Sequence, residues 1–437
     1  MSVSARTLRL LRSRALSSVA PSPSLSRHRR AAVLVEPSFV APAASPAQPL
    51  FSSVYIHLPF CRRRCYYCNF DISVLGDGRG GGTAAAVASY IDTLLADIAH
   101  SPPSGAPLRT VFFGGGTPSM VPPAQLQRVL DALRSRFGLA PGCEVSMECD
   151  PATFTASSLA GYIALGVTRV NVGVQSFDDG ALKSAGRAHT ADDARHALAL
   201  VRASSVRSWG VDIISGLPGV SPAAWEATVA SAVAEQPHHV SVYDLQVERG
   251  TAFGRWYVPG ESPLPSEGGS ASMYRSAVAI LSANGFRQYE VSNYAQPGHE
   301  CAHNKVYWRC GAWAAFGLAA ASHFGGRRFT RPKRMADYSA WVAGGCDETG
   351  EGGEAAEPLI ETLMMGLRLA EGISLDALRD AHGHRVAAAV DGCLAKHVPT
   401  GLARFDGRTV RLTSPDGFLL SNTLIADVFA AAQAAGG

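Results

Sequence analysis

Six short apolar runs recur through the first 245 residues, and a helical pattern fills each gap between them. The runs at 54–58, 110–113, 144–149, 169–175, 210–214 and 239–245 read as buried strands. The intervening stretches 84–100, 125–137, 159–165, 191–203 and 223–234 read as helices; in the first, Tyr90, Ile91, Leu94, Leu95 and Ile98 share a face. Strands alternating with helices imply an α/β fold with a parallel sheet. Right-handed crossovers curl such a sheet toward a barrel, and six units fall short of the eight that close one. A partial, open (β/α)6 barrel is expected. Polar residues and glycines gather at the C-terminal ends of the strands, the ligand-binding face of βα barrels. One mouth then collects Cys61, Cys65, Cys68, the 114–117 run, Glu148, Gln175 and Asp212.

The three cysteines follow the first strand as Cys61-x3-Cys65-x2-Cys68, without a fourth. Structural zinc closes with four ligands, and ordinary iron–sulfur clusters also take four. Three thiolates suit a cubane with one iron open to a small molecule. Gly114-Gly115-Gly116 lets backbone approach a ligand. Glu148 suits a ribose hydroxyl or an ammonium, Gln175 and Asp212 add polar groups, and Arg187 suits a carboxylate. Together they fit an amino acid–nucleoside ligand. The competing readings are a zinc site borrowing His57 or His303, and plain strand-end caps for Glu148 and Asp212. Zinc motifs, however, come as paired sets. Cys143, Cys149, Cys310, Cys346 and Cys393 read as free thiols, and nine cysteines in 437 residues fit a reducing compartment.

Residues 1–48 carry Arg6, Arg9, Arg12, Arg14, Arg27, Arg29 and Arg30 and no acid before Glu36. This is the composition of an organellar transit peptide, mitochondrial in preference to chloroplast. These arginines account for the net charge of +3, so the remainder offers no basic field for nucleic acid. No apolar stretch of about 20 residues suggests a transmembrane helix. The first domain is expected over 51–345 and a Gly/Glu-rich linker over 346–357. A C-terminal domain follows over 358–437, with helices at 359–369, 375–382, 387–397 and 423–432 and a strand at 409–413. It reads as a small winged-helix-like unit that caps the mouth or docks a partner.

Cys61-x3-Cys65-x2-Cys68, with Tyr67 before the third cysteine, resembles the radical S-adenosylmethionine (SAM) signature. Gly114-Gly115-Gly116-Thr117-Pro118 resembles that superfamily's methionine-binding loop. The resemblance implies a [4Fe-4S] cluster on the three cysteines, SAM on its open iron, and an electron donor. Tyr55-x-His57-x-Pro59-Phe60-Cys61, Glu148-x-Asp150-Pro151, Gly173-Val174-Gln175-Ser176-Phe177, Gly186-Arg187-x-His189 and Asp212-x-Ile214-x-Gly216-Leu217-Pro218 resemble the oxygen-independent coproporphyrinogen oxidase group. Carried over, Tyr55, Tyr67, Gly115, Gly116, Thr117, Glu148, Gln175, Arg187 and Asp212 line the SAM site.

The oxidases of that group carry a fourth cysteine where this chain has Phe70, as the HemW branch does. Cys301-x-His303-Asn304-x-x-Tyr307-Trp308 and the tail from Leu412 to Asn422 also resemble HemW. That branch implies a haem chaperone delivering haem to organellar haemoproteins, without oxidase activity. Cys301 and His303 become candidate haem ligands, with Tyr307 and Trp308 stacking on the porphyrin; a hydrogen-bonded core role for His303 is the alternative. A second copy of the chain is a further expected partner. The rival function is an oxygen-independent coproporphyrinogen III dehydrogenase, and a weaker one is a scaffold without a cluster. Two departures stand out: Asn69 replaces the branch's usual Asp, and alanines replace glycines within 316–323, implying a tighter pocket there.

Overall fold

The computed structural model describes residues 50–76, 81–346, 354–355 and 357–436. The transit segment, most of the glycine-rich stretch 76–82 and most of the linker lie outside them. The six expected strands are present as β1 (Ser53–Leu58), β2 (Leu108–Gly115), β3 (Leu139–Cys149), β4 (Arg169–Gln175), β5 (Ser208–Ser215) and β6 (His239–Asp244). The helices between them are α1 (Gly81–His100), α2 (Pro123–Phe137), α3 (Ala156–Ala164), α4 (Ala191–Arg202) and α5 (Pro222–Ala234). α6 (Glu267–Ala283) follows β6. Period-two alternation sorts the strand side chains. In β1, Val54, Ile56 and Leu58 are fully buried among the helices, while Tyr55 faces inward and stacks with Phe112 of β2. The inner face is polar: Asn171 of β4 bonds Asp212 of β5, and Gly114 leaves room for Glu148.

Three further strands were not expected: β7 (Arg287–Glu290), β8 (Asn293–Ala295) and β9 (Ala314–Phe316). The sheet order is β9-β1-β2-β3-β4-β5-β6-β8-β7. All neighbours are parallel as far as β6, and the last two pairings, β6 with β8 and β8 with β7, are antiparallel. The sheet therefore reaches nine strands and stays open. β9 lies beside β1 in the register Val54↔Ala314, so the first strand has a neighbour on each side.

The loop after β9 is locked by a buried ion pair. Asp97 of α1 accepts from Arg331 Nε at 2.7 Å, from Tyr338 Oη at 2.9 Å and from Gly317 N at 3.0 Å. Gly317 has φ +106, and a Cβ there would lie 2.5 Å from the Tyr90 hydroxyl, so this glycine is required.

The C-terminal unit contains α8 (Pro358–Gly366), α9 (Leu375–His382), α10 (His384–Ala395) and α11 (Ser421–Gly436). A small antiparallel sheet of Ile373–Ser374, Thr409–Leu412 and Ala403–Phe405 completes it. Its core is separate, built on Leu363, Leu378, Val390, Leu394, Phe418 and Ile425. The unit packs on the far edge of the barrel sheet rather than across the mouth. Ala370 N donates to Tyr289 O of β7, and Val291 N donates to Arg368 O. Among the described residues, no helix is long and apolar enough to cross a membrane.

Candidate cofactor site at the barrel mouth

The cysteine loop is anchored at both ends. Ser73 N donates to Pro59 O, Leu75 N donates to Cys61 O, and His57 Nε2 meets Asp71 O at 3.0 Å. Thr117 Oγ1, past the end of β2, donates to Cys61 Sγ at 3.5 Å. Arg187, past the end of β4, places Nη1 3.4 Å from Cys65 Sγ. Cys68 N donates to Cys65 O, and Arg64 donates to the carbonyls of Cys68 and Phe70. All three thiols keep some exposure. Burial pushes Cys61 up to about 11 and raises Cys68 as well. Among the described residues, no three His, Cys, Asp or Glu side chains close around a single ion. Three thiols without a fourth ligand suit a cluster with one open iron better than a closed zinc site, which takes four. His57, the histidine nearest the loop, spends both ring nitrogens on Asp71 O and the Tyr55 hydroxyl.

The residues expected around SAM converge on the same mouth, with two changes of reason. The glycine run makes room for the cysteine loop itself. A Cβ on Gly116 would lie 2.6 Å from Phe60 O, and one on Gly115, at φ +110, would strike the His57 ring. Arg187 is not free for a ligand carboxylate, because its guanidinium is held by Asp150 and donates to Gly173 O at 2.9 Å. It acts as a fixed cation beside Cys65 and the Tyr67 hydroxyl. Asp150 is the residue whose role the sequence did not disclose; the signal was its place two positions after Glu148. Charge pairing with Arg187 and a bond from His189 hold its carboxyl below the usual range against the cost of burial.

Glu148 on β3 and Asp212 on β5 lie on either side of β4, whose Asn171 bonds Asp212. Burial first, then Asp212, raises Glu148 to about 7 against a Gly115 N–H bond that lowers it. Burial raises Asp212 to about 6. Nearby, Gln175 Oε1 and Asn171 Oδ1 are buried without a partner among the described residues, and Gln175 has φ +66. Unpaired buried polar atoms are costly and point to a missing polar ligand. The donor set therefore fits an amino acid–nucleoside seated beside the thiols.

The raised carboxylates set a pH dependence. A carboxyl whose folded pKa lies above its unfolded value stabilises the fold at low pH and loses that contribution as pH rises through the folded value. For Glu148 the window runs from about 4.5 to about 7. Without ligand, Glu148→Gln is expected to flatten the fall in melting temperature across this window and to melt higher than wild type above it. Parallel pH-dependent slopes for the two proteins in thermal scans would contradict this.

Cys301, His303, Tyr307 and Trp308 are brought together, but at the opposite end of the strands. They lie on or cap α7 (Ala302–Trp308), which plugs the barrel base. Glu144, at the start of the parallel part of β3, accepts from Ala302 N and His303 N, and Arg169 at the start of β4 ties Glu144 to the carbonyls of His299 and Glu300. His303 is fully buried. Its Nδ1 meets Thr110 Oγ1 at 2.7 Å and its Nε2 meets Tyr307 Oη at 2.8 Å. Burial lowers it to about 3, so it stays neutral. Cys301 caps α7 through Asn304 N, and Trp308 packs on Met364, Met365 and Leu369. A cleft of about 610 Å³ opens on the outer face of α7, where Lys305 and Arg309 line it and none of these four residues does. In this fold His303, Tyr307 and Cys301 are engaged in internal hydrogen bonds and Trp308 in apolar packing. Of the alanines of 316–323, Ala320 packs with Trp313 beside Tyr55, and Ala319 packs against the main core.

Comparison with known proteins agrees with this architecture. Residues 55–232 match the radical SAM superfamily model, and residues 354–420 match the HemN C-terminal domain. A protein from Synechocystis named heme chaperone HemW is 36% identical over 407 residues, covering 87% of this chain and 97% of its own. The Escherichia coli protein of the same name is 33% identical, covering 73% and 83%. The bovine mitochondrial radical S-adenosyl methionine domain-containing protein 1 is 35% identical, covering 74% of each chain. Among solved structures, coproporphyrinogen III oxidase HemN from Escherichia coli superposes with a TM-score of 0.75 at 22% identity, covering 88% of this chain and 91% of that one.

Proposed function

The chain belongs to the HemW family of radical SAM proteins, and from that premise we propose that it is a haem chaperone serving an organelle. It binds haem and passes it to haemoproteins, and it does not oxidise coproporphyrinogen. Cys61, Cys65 and Cys68 would hold a [4Fe-4S] cluster. Tyr55, Tyr67, Gly115, Gly116, Thr117, Glu148, Gln175 and Asp212 would line SAM. A reduced cluster of this kind supplies the electron that cleaves SAM. This chain's contribution is positional. Arg187 sets a positive charge beside Cys65, Asp150 fixes Arg187, and the carboxyls of Glu148 and Asp212 offer acceptors to hydroxyl or ammonium groups. The similarity to mitochondrial relatives and the arginine-rich first 48 residues support import into mitochondria.

The observation that carries the reading is Phe70. It stands where the oxidases have a further cysteine, and it leaves an exposed apolar ring beside the thiols. Two assays on one preparation test the proposal. Titration of the full chain with haem should give a saturable Soret band. Anaerobic incubation with coproporphyrinogen III, SAM and reductant should give no protoporphyrinogen. Product formation would move the chain to the dehydrogenase reading, and a featureless titration would remove haem as its cargo.

A further inference from the structure

Among the described residues of the barrel domain, the large apolar side chains left exposed are Tyr66, Phe70, Val74, Trp256 and Val258. All lie in the cysteine loop, in the short helix Phe253–Trp256 or just beyond one of them. Elsewhere on the domain such side chains are covered, so this rim is the place where exposed apolar surface asks for an occupant. Tyr66 is held firmly there. Its N–H donates to Ala185 O, its carbonyl accepts from Phe253 N, and its ring lies on Gly186, where a Cβ would come within 2.9 Å. Trp256 meets it edge to face at 4.9 Å. Yet Tyr66 and Trp256 remain 37% and 53% exposed.

Polar groups at this rim are also unspent. The Tyr66 hydroxyl and the Trp256 indole N–H make no hydrogen bond among the described residues, and exposed Arg63 and Arg255 make no ion pair there. Arg63 precedes Tyr66 in the same loop, and Arg255 adjoins Trp256. A flat apolar ligand carrying carboxylates and a ferric iron matches the Trp256 ring, the two guanidinium groups and the Tyr66 hydroxyl. Porphyrin faces contact aromatic rings, propionates pair with guanidinium groups, and ferric haem accepts a tyrosine ligand.

We infer that haem docks on this rim, over Tyr66 and Trp256, with the Tyr66 oxygen on the iron and Arg63 and Arg255 turned to the propionates. The inference rests on the haem-chaperone reading and moves the cargo from the base, where His303 has no free nitrogen, to the mouth. On binding, the phenol of Tyr66 loses its proton to solvent and its oxygen fills one coordination position of ferric iron, with no change of oxidation state. Haem and the thiols then share one loop, since Tyr66 follows Cys65 directly. An open rim also suits a ligand that must be passed on.

The test is titration of the full chain with ferric haem, reading both affinity and spectrum. Tyr66→Phe should abolish the phenolate charge-transfer bands and weaken binding by at least about tenfold, or roughly 1.4 kcal/mol. Arg255→Glu and Trp256→Ala should weaken it several-fold, and His303→Gln should leave the iron spectrum as in wild type. Tyr66 is exposed, so its conservative variant should keep the wild-type circular dichroism. If wild type binds and Tyr66→Phe matches it in affinity and spectrum, this site is overturned while the chaperone reading stands. If His303→Gln alone loses the iron ligand, haem belongs at the base. If wild type binds no haem, both fall.

Discussion

Cys65→Ala is expected to bring iron and acid-labile sulfide in the anaerobically reconstituted protein down to background, along with the visible absorbance. Cys149→Ala and Cys393→Ala should load like wild type. The contrast follows from position. Cys65 sits in the loop beside the Arg187 guanidinium, whereas Cys149 is buried in β3 and Cys393 lies on α10 of the other unit. Thiolates, not thiols, hold iron, and Cys65 is one of the three that this loop offers. With only Cys61 and Cys68 left, the loop has two ligands for a cluster that already lacks a fourth. Cys65 is part-exposed and fills no core space, so the change should alter unfolding by no more than about 0.5 kcal/mol. Wild-type iron content in C65A would remove the cluster from this loop.

Asp97→Ala should act in the opposite way, on the fold and not on the loop chemistry. The side chains of Asp97 and Arg331 are almost completely buried. Arg331 also lies over the rings of Phe316 and Trp341, at 4.9 and 5.6 Å. Removing the carboxylate strands a guanidinium in that setting and leaves Gly317 N and Tyr338 Oη without their acceptor. Breaking a buried pair in this way costs roughly 3–5 kcal/mol, a large share of the 5–15 kcal/mol that holds most domains together. Replacing both partners, Asp97→Ala with Arg331→Met, should cost less than Asp97→Ala alone. Urea unfolding followed by tryptophan fluorescence measures both. An unchanged midpoint for D97A would mean that water replaces the lost contacts, contrary to their burial.

The barrel was legible because its strands are long and each carries one apolar face. β4 begins and ends where the Arg169 to Gln175 run does. β7, β8 and β9 were not legible. They hold four, three and three residues, too few for a period to declare itself, and Ala314-Ala315-Phe316 has no strand signature. The mouth residues were legible as a set, because strand ends in a parallel sheet must meet there. Their partners were not. Whether Arg187 serves a ligand or Asp150 depends on a turn after β4 that no local pattern encodes. The motif from Cys301 to Trp308 was read as a haem site from resemblance. Only its three-dimensional place under β2, β3 and β4 shows that His303, Asn304 and Tyr307 tie the base together.

The seating of β9 against β1 has a consequence for synthesis. A chain made from its N-terminus presents β1 and the cysteine loop long before Ala314 emerges to flank them. Until then β1 is an unpaired edge, and such edges invite wrong partners. Asp97, already in place on α1, must likewise wait for Arg331. The strand that leads into the cysteine loop is therefore the first made and among the last secured. Closure of the sheet and of the buried ion pair are thus late events in folding, and the interval before them is when the nascent chain most needs protection from its neighbours.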